Sequence, residues 1–209
     1  AEFVQLQINY ADWETPGVQS RRCYETAMKH NTPVLIMEPV KGGSLVTMRE
    51  DISAPMREYA PNASLASWAL RFCASLPGII TALSGMSTLE QVEDNTAFMQ
   101  NVKPLSEAEY AVIEEVKKRM EEARTIPCTD CKYCVNSCPQ SINIPGIFAA
   151  YNHYMSYNHL SAAKNQYRNA VRERGKASDC IKCGACEEQC PQHIEIRKML
   201  EDAAVLEEE

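Results

Sequence analysis

The sequence predicts an α/β chain with a parallel sheet that gives way, near residue 125, to an all-α part. Three observations carry that expectation. Strand-like and helix-like stretches alternate up to residue 125, the pattern of βα units in a parallel sheet. After that point no stretch has convincing strand character. And eight of the ten cysteines fall into two short runs within the second part.

Taken in order, FVQLQINY (3–10) alternates apolar and polar residues, which is a strand signal. Gly17 to His30 reads as a helix with Val18, Cys23, Tyr24 and Ala27 on one face. TPVLIME (32–38) is a short, nearly unbroken apolar run, as expected of a strand covered on both faces. PNASLASWALRFCASL (61–76) is helical, with Pro61 near its start and Leu65, Trp68, Ala69 and Phe72 spaced as a buried stripe. GIITALSG (78–85) supplies a third strand, and STLEQVEDNTAFM (87–99) a helix opened by a Ser/Thr cap. LSEAEYAVIEEVKKRMEEA (105–123) is a long amphipathic helix with a Ser106/Glu109 capping box, and serves as the joint between the parts. Residues 143–175 are helix-like apart from a Pro-Gly opening. The domain expectation is therefore 1–104, a connecting helix over 105–124, and 125–209.

Three parallel strands leave both sheet edges with unpaired backbone groups. The expectation is that a segment which should precede Ala1 is missing, and that the open first strand pairs with a neighbouring copy. The net charge of −7 argues against nucleic acid as a partner, since phosphate neutralisation needs a basic patch. No apolar run approaches the roughly 20 residues that span a bilayer. The chain reads as cytoplasmic and kept reduced, with Cys23 and Cys73 as core packing inside helices.

The cysteine runs carry the chemistry. CTDCKYCVNSCPQ (128–140) places Cys128, Cys131 and Cys134 in a C-x2-C-x2-C rhythm, then Cys138 one step out of phase and followed by Pro139. CIKCGACEEQCPQ (180–192) repeats this with Cys180, Cys183, Cys186, then Cys190 and Pro191. In the doubled C-x2-C-x2-C-x3-C-P signature the fourth cysteine of each run serves the other iron–sulfur cluster. One [4Fe–4S] cluster is therefore assigned to Cys128, Cys131, Cys134 and Cys190, the other to Cys138, Cys180, Cys183 and Cys186. Zinc is the rival ligand for four thiolates, but its sites pair two C-x2-C units and leave the third cysteine without a role.

Cys180 follows Cys138 by 42 positions, from 138 to 180, and that long helical insert resembles the α-helical ferredoxin fold. FVQLQINYAD, PVLIMEPVKGG and LSGMSTLEQVEDN, in that order and combined with the cysteine runs, resemble the C-terminal half of an aldo-keto reductase with an appended iron–sulfur module. The resemblance implies the last βα units of a (β/α)8 TIM barrel, with 3–10, 34–38 and 79–84 as its sixth, seventh and eighth strands. It implies an NADP(H) or NAD(H) half-site. Gln5 would meet the nicotinamide carboxamide, and Met37 would lie beneath the ring where many members carry tyrosine. Glu38, Pro39, Val40, Lys41, Gly42 and Gly43 would run along the pyrophosphate, with Gly85, Met86, Ser87, Gln91, Asp94 and Asn95 at the adenosine end. Gly85 and Gln91 stand where the family often has a lysine or arginine for the 2′-phosphate, so NADP versus NAD stays open.

The family's tyrosine, lysine, aspartate and histidine come from the first barrel half, so no catalytic residue is assigned here. Tyr10 and Asp12 are candidate substrate contacts, and His30, His153, His159 and His193 are read as surface or packing residues. Three functions remain open. The chain is part of a redox enzyme whose clusters exchange electrons with a partner protein, part of a reductase whose clusters only stabilise or sense, or an electron-transfer module that docks through its barrel remnant.

Overall fold

The computed structural model describes residues 1–123 and 126–207. It divides into two compact units, one running to Arg119 and one beginning at Met120. The first contains β1 (Val4–Gln7), α1 (Ser20–Lys29), β2 (Val34–Met37), α2 (Glu50–Tyr59), α3 (Leu65–Ala74), β3 (Ile79–Ala82), α4 (Leu89–Met99) and most of α5 (Glu107–Glu122). Residue 124, where the joint was expected to end, lies outside the described residues.

The strands form one parallel sheet in the order β1-β2-β3, with Val4 opposite Val34 and Gln7 opposite Met37. A register irregularity at Val34/Leu35 shifts β3. Helices cover one face. Val34 and Ile36 are fully buried there, alongside Trp68, Ala69, Phe72 and Cys73 of α3. The Cys73 thiol donates to the Ile8 carbonyl at 3.3 Å, and burial pushes its pKa up to about 12, so it acts as a small apolar group with one hydrogen bond. The opposite face is open, with Gln5, Met37 and Thr81 exposed and Ile80 58% exposed. β2 was expected to be covered on both sides. It is not, because no element of this unit packs against that face.

Two further readings are corrected. α1 starts at Ser20 rather than Gly17, after Gln19 takes a left-handed turn at φ 56. Its buried stripe is Ser20, Tyr24 and Ala27, which leaves Cys23 exposed rather than in the core. α2 had no forecast, because Pro55 interrupts its pattern. A proline at 55 cannot donate to the Asp51 carbonyl four residues back, and Arg119 Nη1 donates to that carbonyl at 2.8 Å instead. The caps at Thr88 and Ser106 follow the sequence, and Ser64 adds one that it did not indicate. Ser64 accepts from Ser67 N at 3.0 Å, Thr88 from Gln91 N at 3.3 Å, and Ser106 and Glu109 exchange bonds as a capping box.

The second unit holds α6 (Tyr133–Asn136), α7 (Ile144–Tyr157), α8 (Leu160–Val171), α9 (Ala185–Glu188) and α10 (Ile196–Ala203), joined by loops and short 3-10 turns. Its described residues contain no strand, only an isolated parallel bridge between Ile142 and Gly175. The helix-like stretch 143–175 forms two helices, α7 and α8, folded as a hairpin with a break where Asn158 turns left-handed at φ 50. Tyr167 ties the hairpin down. Its hydroxyl donates to Glu207 Oε1 at 2.6 Å and accepts from Ala177 N at 2.8 Å. Ile126, Ile142, Ile144, Ile147, Phe148 and Leu200 form the core.

In the first unit, α3 and α5 are joined by Arg71 and Glu109, a mostly buried pair at 2.6 Å in which Arg71 Nε also donates to the Lys103 carbonyl. Replacing Arg71 with Met strands the Glu109 carboxylate and should remove about 2–3 kcal/mol of stability. Both tryptophans, Trp13 and Trp68, lie in this unit, so the urea midpoint of tryptophan fluorescence checks this directly.

Candidate metal centre

Each cysteine run folds as a loop that closes on a single helical turn. The third cysteine sits in that turn, Cys134 in α6 and Cys186 in α9, and both are buried. The second, Cys131 or Cys183, stays exposed. The fourth follows the turn, and Cys138 N and Cys190 N close back on the Val135 and Glu187 carbonyls at 3.4 and 3.1 Å. The chain then reverses, with Ser141 N bonding the Cys138 carbonyl at 3.0 Å and His193 N the Cys190 carbonyl at 3.1 Å.

The two loops are one backbone used twice, 52 positions apart from 128 to 180. Left-handed residues fall at matching places: Asp130 and Lys182 at φ 56 and 58, Lys132 and Gly184 at 67 and 83, Ser141 and His193 at 53 and 51. Five of these six are not glycine, a conformation costing an L-residue roughly 1–2 kcal/mol. Such turns aim successive N–H groups into a concavity that suits anions and iron–sulfur centres.

Two cavities lie against these loops. Cys128, Cys131, Cys134 and Cys190 line the first, about 330 Å³ including its mouth, with Ile144, Phe148, Ile194 and Ile196 behind them. Cys138, Cys180, Cys183 and Cys186 line the second, about 310 Å³, with Ile142, Ile144 and Leu200. Each cavity thus receives three thiols from one run and the last thiol of the other. Burial pushes Cys134 up to about 12 and Cys186 to about 11; the nearby Cys128 thiol adds to the first and Glu187 to the second. Burial also raises Cys128, with Cys131 and Cys190 nearby. Among the described residues no three His, Cys, Asp or Glu side chains converge on a point where a single metal ion would sit. The donors ring a space instead, and four soft thiols around an apolar-backed space suit a thiolate-bound cluster.

Of the other candidates, Glu38 to Gly43 and Gly85 to Ser87 lie in the loops after β2 and β3, Gln5 and Met37 lie within strands, and Gln91, Asp94 and Asn95 lie on α4. Gln5 Nε2 lies 3.5 Å from Met37 Sδ. Glu38, Lys41, Gly42 and Gly43 all take positive φ, from 52 to 91, so the loop carrying Pro39 and Val40 kinks twice within six residues. Beyond β3, Gly85, Met86 and Ser87 are exposed. Gln91 Oε1 accepts from Ser87 N at 2.8 Å, Asp94 accepts from Ser64 Oγ at 2.6 Å, and buried Asn95 donates to Ser84 Oγ at 3.2 Å.

Sequence reasoning missed how Asp12 is held. Buried Asp12 accepts from Lys41 Nζ, from Gln7 Nε2 at 2.9 Å and from Asn9 Nδ2 at 3.0 Å, while Asn9 Nδ2 also reaches the Glu38 carbonyl at 3.1 Å. The signal was present in the alternating Gln5, Gln7 and Asn9 along β1 and just beyond it. Burial pushes the Asp12 carboxyl up, but the Lys41 ammonium and the two amides outweigh it and hold it below its ordinary value. Lys41, assigned to phosphate, is therefore the partner of Asp12 here.

A helical unit whose two cavities trade their fourth thiols has the ligand arrangement of a two-cluster iron–sulfur module. Residues 127–195 match the family model described as a 4Fe-4S dicluster domain. Residues 1–118, more than half of the chain, match the Aldo/keto reductase family, and the chain belongs to that family. Among solved structures, the holo form of aldo-keto reductase AKR11C1 from Bacillus halodurans is similar at 21% identity and a TM-score of 0.42. That match covers 54% of this chain and 41% of the other, so the chain spans less than half the length of that structure. No curated protein matches the chain. No helix among the described residues is long and apolar enough to cross a membrane.

The depressed carboxyl of Asp12 contributes stability that is present above the ordinary aspartate value, about 3.9, and is lost as pH falls below it. Replacing Lys41 with Met should lower stability at pH 7 by about 2–3 kcal/mol, and the deficit should shrink as acid protonates the stranded Asp12 carboxyl. Tryptophan fluorescence of Trp13, followed through acid titration of both proteins, checks both outcomes.

Proposed function

We propose that this chain is the C-terminal portion of a nicotinamide-dependent oxidoreductase, with half of an NADP(H) or NAD(H) site and an α-helical ferredoxin-like unit holding two [4Fe–4S] clusters. The observation that carries this reading is the crossed lining of the two cavities, three cysteines of one run plus the last of the other. When bound, the nicotinamide supplies a hydride and each cluster a one-electron centre, so the clusters serve exchange with a redox partner protein. The chain's own residues hold the clusters by thiolate, shield them with Ile144, Phe148 and Leu200, and turn loop N–H groups toward them.

The nucleotide half-site is supported by the kinked, glycine-bearing loop 38–43 and the exposed loop 85–87, which share the C-terminal end of a parallel sheet. The open face and edges of that sheet are where the first barrel half would sit in the whole protein, and the catalytic group would come with it. In this chain alone, the β1 edge offers a pairing site to a second copy.

Anaerobic purification followed by iron and sulfide analysis should give about eight of each per chain. About two zinc ions without sulfide would sink the reading. Cys190→Ser and Cys138→Ser should each lose one cluster, and different ones, seen as distinct residual paramagnetic signals. The chain alone, mixed with NADPH and aldehydes or ketones, should show no turnover above background; measurable reduction would mean that the catalytic group lies within these 209 residues.

A further inference from the structure

The repeat of 52 positions makes the two cavities comparable residue by residue. Gln140 and Gln192, Ile142 and Ile194, and Ile144 and Ile196 occupy equivalent places in the two linings. Two exchanges break the equivalence in charge. The first cavity has Lys132 where the second has Gly184, and Pro145 where the second has Arg197. Each cavity therefore has one cation in its wall, delivered by a different element.

The two cations are not equal. The Lys132 side chain is 69% exposed and only loosely paired, 3.7 Å from Asp130, so solvent and salt screen it. Arg197 comes from the first turn of α10 and lies above Gly184, where a Cβ would stand 4.0 Å from its Cζ. Glu187 fixes the arginine twice, accepting from its backbone N at 2.9 Å and from Nε at 2.9 Å, and the Arg197 side chain is less exposed, at 48%. A guanidinium has five N–H donors, and Glu187 engages only one edge of it.

We propose that Arg197 raises the reduction potential of the cluster held by Cys138, Cys180, Cys183 and Cys186 above that of its sibling, with Glu187 as the arm that positions it. The inference rests on the two-cluster reading above. Reduction adds one negative charge to a site, and a fixed cation in the wall stabilises that charge. An electron given to the pair by a one-electron reductant then resides in the Arg197 site. The Glu187 carboxylate offsets part of the arginine's charge, so the two side chains act on the potential in opposite senses.

The test is an anaerobic titration with dithionite, followed by electron paramagnetic resonance, on the full chain and on Arg197→Gln, Glu187→Gln and Lys132→Gln, after iron and sulfide have been measured. Arg197→Gln should lower the reduced-to-oxidised ratio of one cluster at least tenfold at fixed potential, which is 59 mV for one electron, and leave the other within twofold. The affected cluster should be the one lost in Cys138→Ser. Glu187→Gln should raise the ratio for that same cluster, and Lys132→Gln should move its own cluster by less than the Arg197 change. Equal shifts of both clusters, no shift, or shifts of the same sign in the Arg197 and Glu187 variants would reduce the pair to a structural brace and overturn the proposal. If Arg197→Gln fails to load, the upward shift in Glu187→Gln still decides. Absence of iron and sulfide in the parent chain would instead defeat the two-cluster reading.

Discussion

The second unit depends on one constraint: the last thiol of each cysteine loop belongs to the cavity of the other. That crossing can be met only if two loops 52 positions apart are held side by side, and the intervening chain is built to do so. The α7–α8 hairpin spans the gap and returns at Gly175, where the chain pairs with Ile142 just beyond Cys138. A Cβ at 175 would come within 2.5 Å of the Gln140 carbonyl oxygen, so only glycine allows this approach. Asn143 strengthens the return by donating to the Ala170 carbonyl at 3.2 Å while capping α7. A cluster bound by these thiols would add to the folding free energy of the unit.

The same constraint explains where strain is tolerated. Asp130, Lys132, Lys182, Ser141 and His193 adopt left-handed backbone at places fixed by their distance from a cysteine, not by their side chains. Asp130 and His193 adopt that conformation more readily than Lys132, Lys182 and Ser141, yet it recurs at equivalent positions in both loops. Strain repeated in register belongs to the loop shape that the cysteine spacing requires and not to the individual side chains.

This also marks what the sequence can and cannot say. The grouping of cysteines into two runs was legible because spacing is a property of local chain length, and the caps at Thr88 and Ser106 because they are local hydrogen bonds. The parallel order of the strands followed from their alternation with helices. α2 was illegible because its proline is compensated from 64 positions away, by Arg119 bonding the Asp51 carbonyl. Cys23 was misplaced by an error of one helical face, and the break at Asn158 because an asparagine is as compatible with a helix surface as with a left-handed cap. The Asp12 network was hidden for a different reason. It assembles from the end of β1 and from a loop 29 positions later, and only the fold brings them together.

The sheet of the first unit is uneven in a way that carries meaning. A parallel sheet is ordinarily covered on both faces, yet here one face shows Gln5, Met37 and Thr81 to solvent, and Leu83 and Leu89 stand exposed beyond β3. The open side is not uniformly apolar. Polar groups gather toward the C-terminal end of the strands, where Gln7, Asn9, Asp12 and Lys41 hold one another, and the apolar surface lies on and beyond β3. Any element that covers this sheet therefore gains apolar burial at β3 but would have to strip water from the Asp12–Lys41 mouth to cover that as well. The favourable arrangement packs against the outer strands and leaves the mouth open.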